Sequence, residues 1–322
     1  MIKKIGILTS GGDAPGMNAA VRAVVKTAIN SGVEVYGIYD GYRGILEGRI
    51  QKLEKVDVAG IQSRGGTILG TVRYPEFKNP EVREATAAKL RELGIEALVC
   101  IGGDGTYMGA MRLTELGINC IGIPGTIDND ISSTDYTLGF DTAMNTIAYC
   151  IDHLRDTSSS HHRCTVVEVM GNHCGDLAMF SAIGLAAEIV VTPQHMMTVD
   201  EIIDKLNSFR GQGRKQTTVL VSEKMEEMNV VDLAKEIDTR TKYEAKWEIL
   251  GRIQRGGSPS AFDRLLGATL GGYATQLLLQ GKGGLAVGIH NNQLVANPIN
   301  EALKMTKEPY FHIGEMLDLL NN

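Results

Sequence analysis

The sequence predicts an α/β protein whose parallel-rich sheets are flanked by helices, and three observations carry that prediction. Short apolar runs at 3–8, 97–101 and 120–123 each end in a glycine-bearing turn, the pattern of buried parallel strands. The turns at Gly11 and Gly102 open into helical patterns at 17–29 and 106–116. At 322 residues, 43% of them hydrophobic and 22% charged, the chain is long enough for two domains with a sizeable core.

Taken in order, residues 3–8 read as the first strand and 17–29 as the helix after its glycine loop. A strand at 34–39 leads to Asp40-Gly41-Tyr42-Arg43-Gly44, an irregular segment at 70–77 follows, and 79–93 resume a helix. Strand 97–101, helix 106–116 and strand 120–123 complete a repeated strand, turn and helix pattern. Residues 140–156 form a long helix, and a basic and hydroxyl-rich cluster at 155–163 leads into strand 164–169. After an irregular junction at 170–176, strands at 188–191 and 217–221 alternate with helices at 199–209 and 230–240. A strand and loop at 248–259, an amphipathic core helix at 261–279 and a strand at 285–289 close the pattern. No low-complexity linker separates the parts, so the domains are expected to exchange chain segments.

The turns carry the chemistry. Pro124 and Gly125 end a strand and present Thr126, Asp128 and Asp130 at its carboxyl edge, where open α/β sheets bind ligands. Alone, that octet is equally a solvated Asx turn. Gly102-Gly103-Asp104-Gly105 lets the backbone approach a polyphosphate at a helix start, with Asp104 placed to hold magnesium directly or through water. Gly11 and Gly12 offer a third such loop, and three of them in one chain make plain tight turns a poor account. Arg73 gains interest because developing phosphate charge needs a cation. Glu223, just past a strand end, sits where a substrate contact or an exposed carboxylate would sit, and Arg252 and Arg255, three apart, suit a phosphate.

Other classes are disfavoured. A net charge of −6 argues against nucleic acid as a partner. Five cysteines without Cys-x-x-Cys spacing suggest a reduced, cytoplasmic protein. His161, His162 and His173 lack the spacing of a zinc helix. No apolar run approaches ~18 residues and the chain enters a strand at once, so neither a membrane span nor a signal peptide is expected.

Five ordered motifs then resemble the bacterial ATP-dependent 6-phosphofructokinase family over nearly the whole length: LTSGGDAPGMN at 8–18, GGDG at 102–105, PGTIDND at 124–130, RDTSSSH at 155–161 and IQRGGSP at 253–259. The resemblance implies two α/β lobes with the active site in the cleft between them, 1–139 with 252–306 binding ATP and 140–251 with 307–322 binding fructose 6-phosphate. It also implies a homotetramer with sites completed across subunits. Gly12, Arg73, Gly103, Gly105 and Thr106 would hold ATP, Asp104 would hold Mg2+, and Tyr42, Met108 and Gly109 would lie near the nucleotide. Asp128 would be the general base for the sugar 1-hydroxyl, supported by Thr126 and Asp130. Met170, Gly171, Glu223 and Arg255 match substrate positions, and Arg163 matches one reaching in from a neighbouring subunit. Gly105 and Gly125 stand where pyrophosphate-dependent relatives carry Asp and Lys, which favours ATP as donor.

The chain departs from the family at Asn172 and Lys246, where arginine is usual, and at Arg252, where histidine is usual; weakened sugar-phosphate affinity is the expectation. Arg22, Lys26, Lys55, Arg155, Glu188, Arg214 and Lys215 match or supplement an effector site for ADP or phosphoenolpyruvate, with Gln212 and Gln216 replacing its usual Lys and His. The competing readings are a catalytically weak regulatory subunit, a kinase for another sugar phosphate, and an NAD or lipid kinase sharing the GGDG loop. The last leaves Arg163, Glu223 and the Arg255 loop unexplained.

Overall fold

The computed structural model describes residues 2–226, 228–307 and 311–321, with the side chains of 311–314 and 318 excepted. Among the described residues the chain forms two compact units: 2–127, 131–142 and 255–307 in the first, and 128–130, 143–254 and 311–321 in the second.

The first unit is built on a seven-stranded sheet. Strands β1 (Lys4–Thr9), β2 (Glu34–Ile38), β4 (Ala97–Gly102), β5 (Asn119–Pro124) and β10 (Leu285–His290) run parallel. At the edges β3 (Ile50–Leu53) and β11 (Gln293–Pro298) pair antiparallel, giving the order β11-β10-β5-β4-β1-β2-β3. All six residues of β4 are buried, as a strand covered on both faces requires. Covering helices are α1 (Met17–Asn30), α3 (Pro80–Glu92), α4 (Asp104–Glu115) and α9 (Ala261–Leu279). Helices α1 and α9 touch backbone to backbone: a Cβ on Gly271 would lie 2.6 Å from the Ala20 carbonyl oxygen, so only glycine permits this approach.

The second unit centres on a four-stranded, all-parallel sheet of β6 (Arg163–Val169), β7 (Ile189–Val191), β8 (Thr217–Ser222) and β9 (Glu244–Ile249), ordered β7-β8-β6-β9. Its core packs Ile202, Leu206 and Phe209 of α7 (Val199–Gly211) and Leu233 and Ile237 of α8 (Val230–Arg240) on Cys164, Val166, Val219 and Val221. Thr198 and Glu201 close a reciprocal capping box at the start of α7.

The expected strands and long helices are present with shifted ends, and one boundary is corrected. The cluster at 155–161 is the last part of helix α5 (Phe140–His161), whose hydroxyl side chains bond within or below the helix: Ser160 to the Asp156 carbonyl at 3.0 Å, Ser158 to Thr165 at 2.5 Å. Polar composition hid its helical continuation. Not anticipated were β3 and β11, edge strands without a continuous apolar run, the short helices α2 (Gly41–Leu46), α6 (Asp176–Gly184) and α10 (Ile299–Ala302), and α11 (Phe311–Asn321). Among the described residues no helix is long and apolar enough to cross a membrane.

Candidate functional site

In the first unit the three glycine turns leave neighbouring strands at one sheet edge. Thr9 at the end of β1 pairs with Ile101, and Gly102 at the end of β4 pairs with Pro124 at the end of β5. The chain moves from β1 to β2 on one side and returns to β4 on the other, so the Gly11 and Gly103 turns flank a topological switch point, the usual ligand crevice of such sheets. Their backbones are tied together: the Ser10 N–H donates to the Ile101 carbonyl and the Gly125 N–H to the Gly102 carbonyl, each at 3.0 Å. The Thr106 hydroxyl donates to the Ser10 carbonyl at 3.1 Å.

Helix α4 begins at Asp104 behind Gly103, with no side chain capping its first turn. Its leading N–H groups and positive end suit an anion. A Cβ on Gly103 or Gly105 would meet nothing within 4 Å, so the approach to those N–H groups is open. Asp104 is exposed there. Among the described residues no group of three or more His, Cys, Asp and Glu could hold a metal, and one carboxylate fits a magnesium ion that arrives already bound by a nucleotide's phosphates.

Around this edge the predicted residues divide by role. Thr71 donates to the Gly11 carbonyl at 2.8 Å and Thr9 to that of Gly70 at 2.7 Å, fixing the segment that carries the exposed Arg73 beside the first loop. Tyr42 is buried. It stacks on Phe77 with centroids 4.3 Å apart, donates to the Thr106 carbonyl at 2.6 Å, and lies so close to Gly109 that a Cβ there would be 2.7 Å from its ring. Met108 is exposed on the same helix. Arg255 lies in the first unit, where its guanidinium packs on Gly12 and donates to the Asp13 carbonyl at 3.4 Å. That placement puts it against the Gly12 loop. Arg252, three residues earlier, is exposed.

The PGTIDND turn crosses from one unit to the other after Ile127. Thr137 donates to the Thr126 carbonyl at 2.6 Å, and the Leu138 N–H to that of Pro124 at 2.9 Å, so a second segment braces the turn. Thr126 and Asp128 are 8% and 7% exposed. Asn129, left-handed at φ 53°, donates to Asp176 at 2.8 Å.

At the carboxyl edge of the second sheet, β6 and β8 end in register, Val169 beside Ser222. There Met170, Gly171, Asn172 and Glu223 come together with Asp130. The Glu223 N–H donates to the Val169 carbonyl at 2.7 Å, the Asn172 N–H to the Glu223 carboxylate at 2.9 Å, and the Asn172 amide to Asp130 at 3.2 Å. Gln254, fully buried, accepts from the Met170 N–H at 3.1 Å. Two groups here were not anticipated. Gln254 stood inside a motif read for its arginines, and Lys224, whose ammonium donates to the Asn172 carbonyl oxygen, is a lone lysine with no sequence signal.

Arg163 and Lys246 are not brought to that edge. Arg163 opens β6, so roughly 20 Å of strand, at about 3.3 Å per residue, separates it from Met170. Both cations hold Glu244, each at 2.9 Å, and drive its carboxyl down to about 2. The expected effector residues of this unit also gather toward the amino edge. Glu188 accepts from the Thr218 N–H at 2.7 Å, Arg155 donates to the Thr218 hydroxyl at 3.4 Å, and Arg214 stands 3.9 Å from Glu188. Burial pushes the Glu188 carboxyl up, partly offset by the backbone bond and the two arginines. Gln212 and Lys215 are exposed nearby, and Gln216 keeps a buried carbonyl oxygen without a hydrogen-bond donor. Arg22 and Lys26 lie half-buried on α1 of the first unit, with Lys55 exposed after β3.

A sequence profile of the family Phosphofructokinase matches residues 4–278. Over 309 residues the chain is 53% identical to the ATP-dependent 6-phosphofructokinase of Vibrio campbellii and 52% identical to that of Vibrio cholerae, covering 96% of each chain. Phosphofructokinase from Saccharomyces cerevisiae superposes with a TM-score of 0.89 at 34% identity, over 99% of this chain and 47% of the yeast chain. A pyrophosphate-dependent phosphofructokinase from Marinobacter aquaeolei gives 0.86 at 22% identity, over 97% and 86% of the two chains, a likeness of fold alone.

Proposed function

Because the chain belongs to the phosphofructokinase family, we propose that it transfers the γ-phosphoryl group of ATP to the 1-hydroxyl of fructose 6-phosphate, yielding fructose 1,6-bisphosphate and ADP in glycolysis. The observation that carries the reading is the register of Gly102 with Pro124, which sets the GGDG turn and the PGTIDND turn side by side on adjacent strands. One turn suits the phosphoryl donor and the other the acceptor.

Asp128 takes the proton of the attacking hydroxyl, and its near-complete burial limits exchange of that proton with bulk water. Thr126 and Asp130 orient the reacting groups. The Gly11–Gly12 and Gly103–Gly105 backbones receive the ATP phosphates, with Arg73 and Arg255 supplying positive charge beside the first loop. Asp104 would hold magnesium, which would neutralise the negative charge of the transferring phosphates. Tyr42, Thr106 and Gly109 hold the start of α4 in place. Met170, Gly171 and Glu223 receive the sugar phosphate, while Arg163 and Lys246, far along the sheet, serve a neighbouring subunit of a homotetramer. Arg155, Glu188 and Arg214 form part of an effector site for ADP or phosphoenolpyruvate, weakened by Gln212 and Gln216. The same reading places the protein in the cytoplasm.

The test is steady-state formation of fructose 1,6-bisphosphate with MgATP, with Asp128→Asn beside the wild type. Turnover by the wild type and its loss by at least a hundredfold in the variant are expected. Absence of wild-type turnover at saturating fructose 6-phosphate defeats the reading.

A further inference from the structure

We infer that Lys224 is a positioning residue of the phosphoryl-transfer site, acting through the side-chain amide of Asn172 on Asp130. The inference deepens the kinase reading and rests on it for the identity of the reaction.

An asparagine amide has two chemically different ends, and its orientation follows from its partners. The Lys224 ammonium can only donate, and it donates to the Asn172 carbonyl oxygen. Asp130 accepts from the amide nitrogen at 3.2 Å. Each partner therefore selects the same orientation, and the chain Lys224, Asn172, Asp130 has one polarity. The backbone adds a third restraint, since the Asn172 N–H donates to Glu223 at 2.9 Å. Asn172 and Lys224 are both left-handed, at φ 55° and 60°, a conformation that non-glycine residues keep only where their surroundings over-determine it. The Lys224–Asn172 contact ties the two loops that carry these conformations to each other.

Charge gives the contact its chemical purpose. Asp130 and Glu223 face Asn172, and burial and then the Glu223 charge push the Glu168 carboxyl up. Such a carboxylate group repels a transferring phosphoryl. Lys224 supplies a compensating positive charge within one amide of Asp130. The family's usual arginine at 172 would carry charge and hydrogen bonds in a single residue; here two residues share the task.

Lys224 is exposed, so its replacement removes no core packing. In Lys224→Met, the kcat for fructose 6-phosphate should fall about tenfold while its KM stays within about threefold, the signature of an interaction that matters mainly in the transition state. Lys224→Arg should stay within about threefold of the wild type. Lys224→His should be active at low pH and decline to the Met level as pH rises through about 6.5, the range in which an imidazole loses its charge. Hydrogen exchange of residues 170–176, followed by mass spectrometry, reads the positioning without turnover, and faster exchange in Lys224→Met is expected. An unchanged kcat in Lys224→Met, a histidine variant that follows the methionine profile at every pH, or unchanged exchange would overturn the inference. A wild type inactive toward fructose 6-phosphate would instead defeat the kinase reading, and the exchange comparison would still decide whether Lys224 positions the loop.

Discussion

Thr106 donates its hydroxyl proton to the carbonyl of Ser10 at 3.1 Å, so the first turn of α4 is fastened to the loop that follows β1. Two turns that leave separate strands thereby act as one surface. Thr106→Val keeps the shape and deletes the donor, leaving a buried carbonyl short of a partner at a cost of about 1–3 kcal/mol. The melting temperature should fall, and the KM for ATP should rise more than that for fructose 6-phosphate. Equal KM values for both substrates before and after the change would show that the fastening has no bearing on the nucleotide.

Gly125 has no room for a side chain: a Cβ would sit 2.9 Å from both the Ile101 and Met17 side chains. Gly125→Ala should therefore displace the PGTIDND turn at a stability cost of about 1–3 kcal/mol. A larger fall in kcat than in thermal stability is expected, because the displaced segment carries Thr126 and Asp128. Denaturant unfolding and steady-state kinetics on the same preparation check both parts.

Asp263 is fully buried, yet accepts from the Gly139 N–H at 2.8 Å and from the Thr142 N–H and hydroxyl at 2.8 and 2.5 Å. Burial pushes its carboxyl up, against those three donors. It joins the start of α9 to the start of α5. Asp263→Ala strands three donors and should destabilise the protein by about 3 kcal/mol, whereas Asp263→Asn, which retains an acceptor, should cost less. Urea unfolding of the two variants measures the difference.

Glu244 titrates at about 2 in the folded chain against 4.5 for an ordinary glutamate, first through its bond from Arg163 and then through that from Lys246. The shift is downward, so its contribution to stability is present above the ordinary value and is lost as pH falls toward 2. Glu244→Gln should show a flatter acid limb over that window than the wild type, and solvent screening keeps the difference small for so exposed a group. Acid titrations followed by circular dichroism check the slope.

What was legible in the sequence was what depends on near neighbours. Ala97–Gly102 is apolar throughout and ends in glycine, so both its strand and the turn behind it could be read locally. The Gly102–Pro124 pairing was not, because register is a relation between strands. Tyr42 was expected near a nucleotide, and only the folded chain shows its ring wedged against Gly109. Lys224 escaped notice because nothing in Glu223-Lys224-Met225 separates it from a solvated lysine; its role depends on Asn172, 52 positions away. The edge strand β11 failed for another reason: with exposed ends and half-buried middle residues it carries little of the hydrophobic alternation that marks a strand.

The first unit's sheet is interrupted in sequence: β10 docks on β5 only after the whole of 143–254 has been made. On the ribosome, some 160 residues emerge between Pro124 and Leu285. At 5–20 residues per second this leaves an apolar parallel edge unpaired for about 8–30 s. The inserted segment holds all four strands of its own sheet and the core that α7 and α8 pack on them, so it can begin to fold within that interval while the outer unit waits. Newly made chains should thus be most prone to aggregate just before β10 appears, and synthesis slowed downstream of residue 254 should lower yield without altering the finished enzyme.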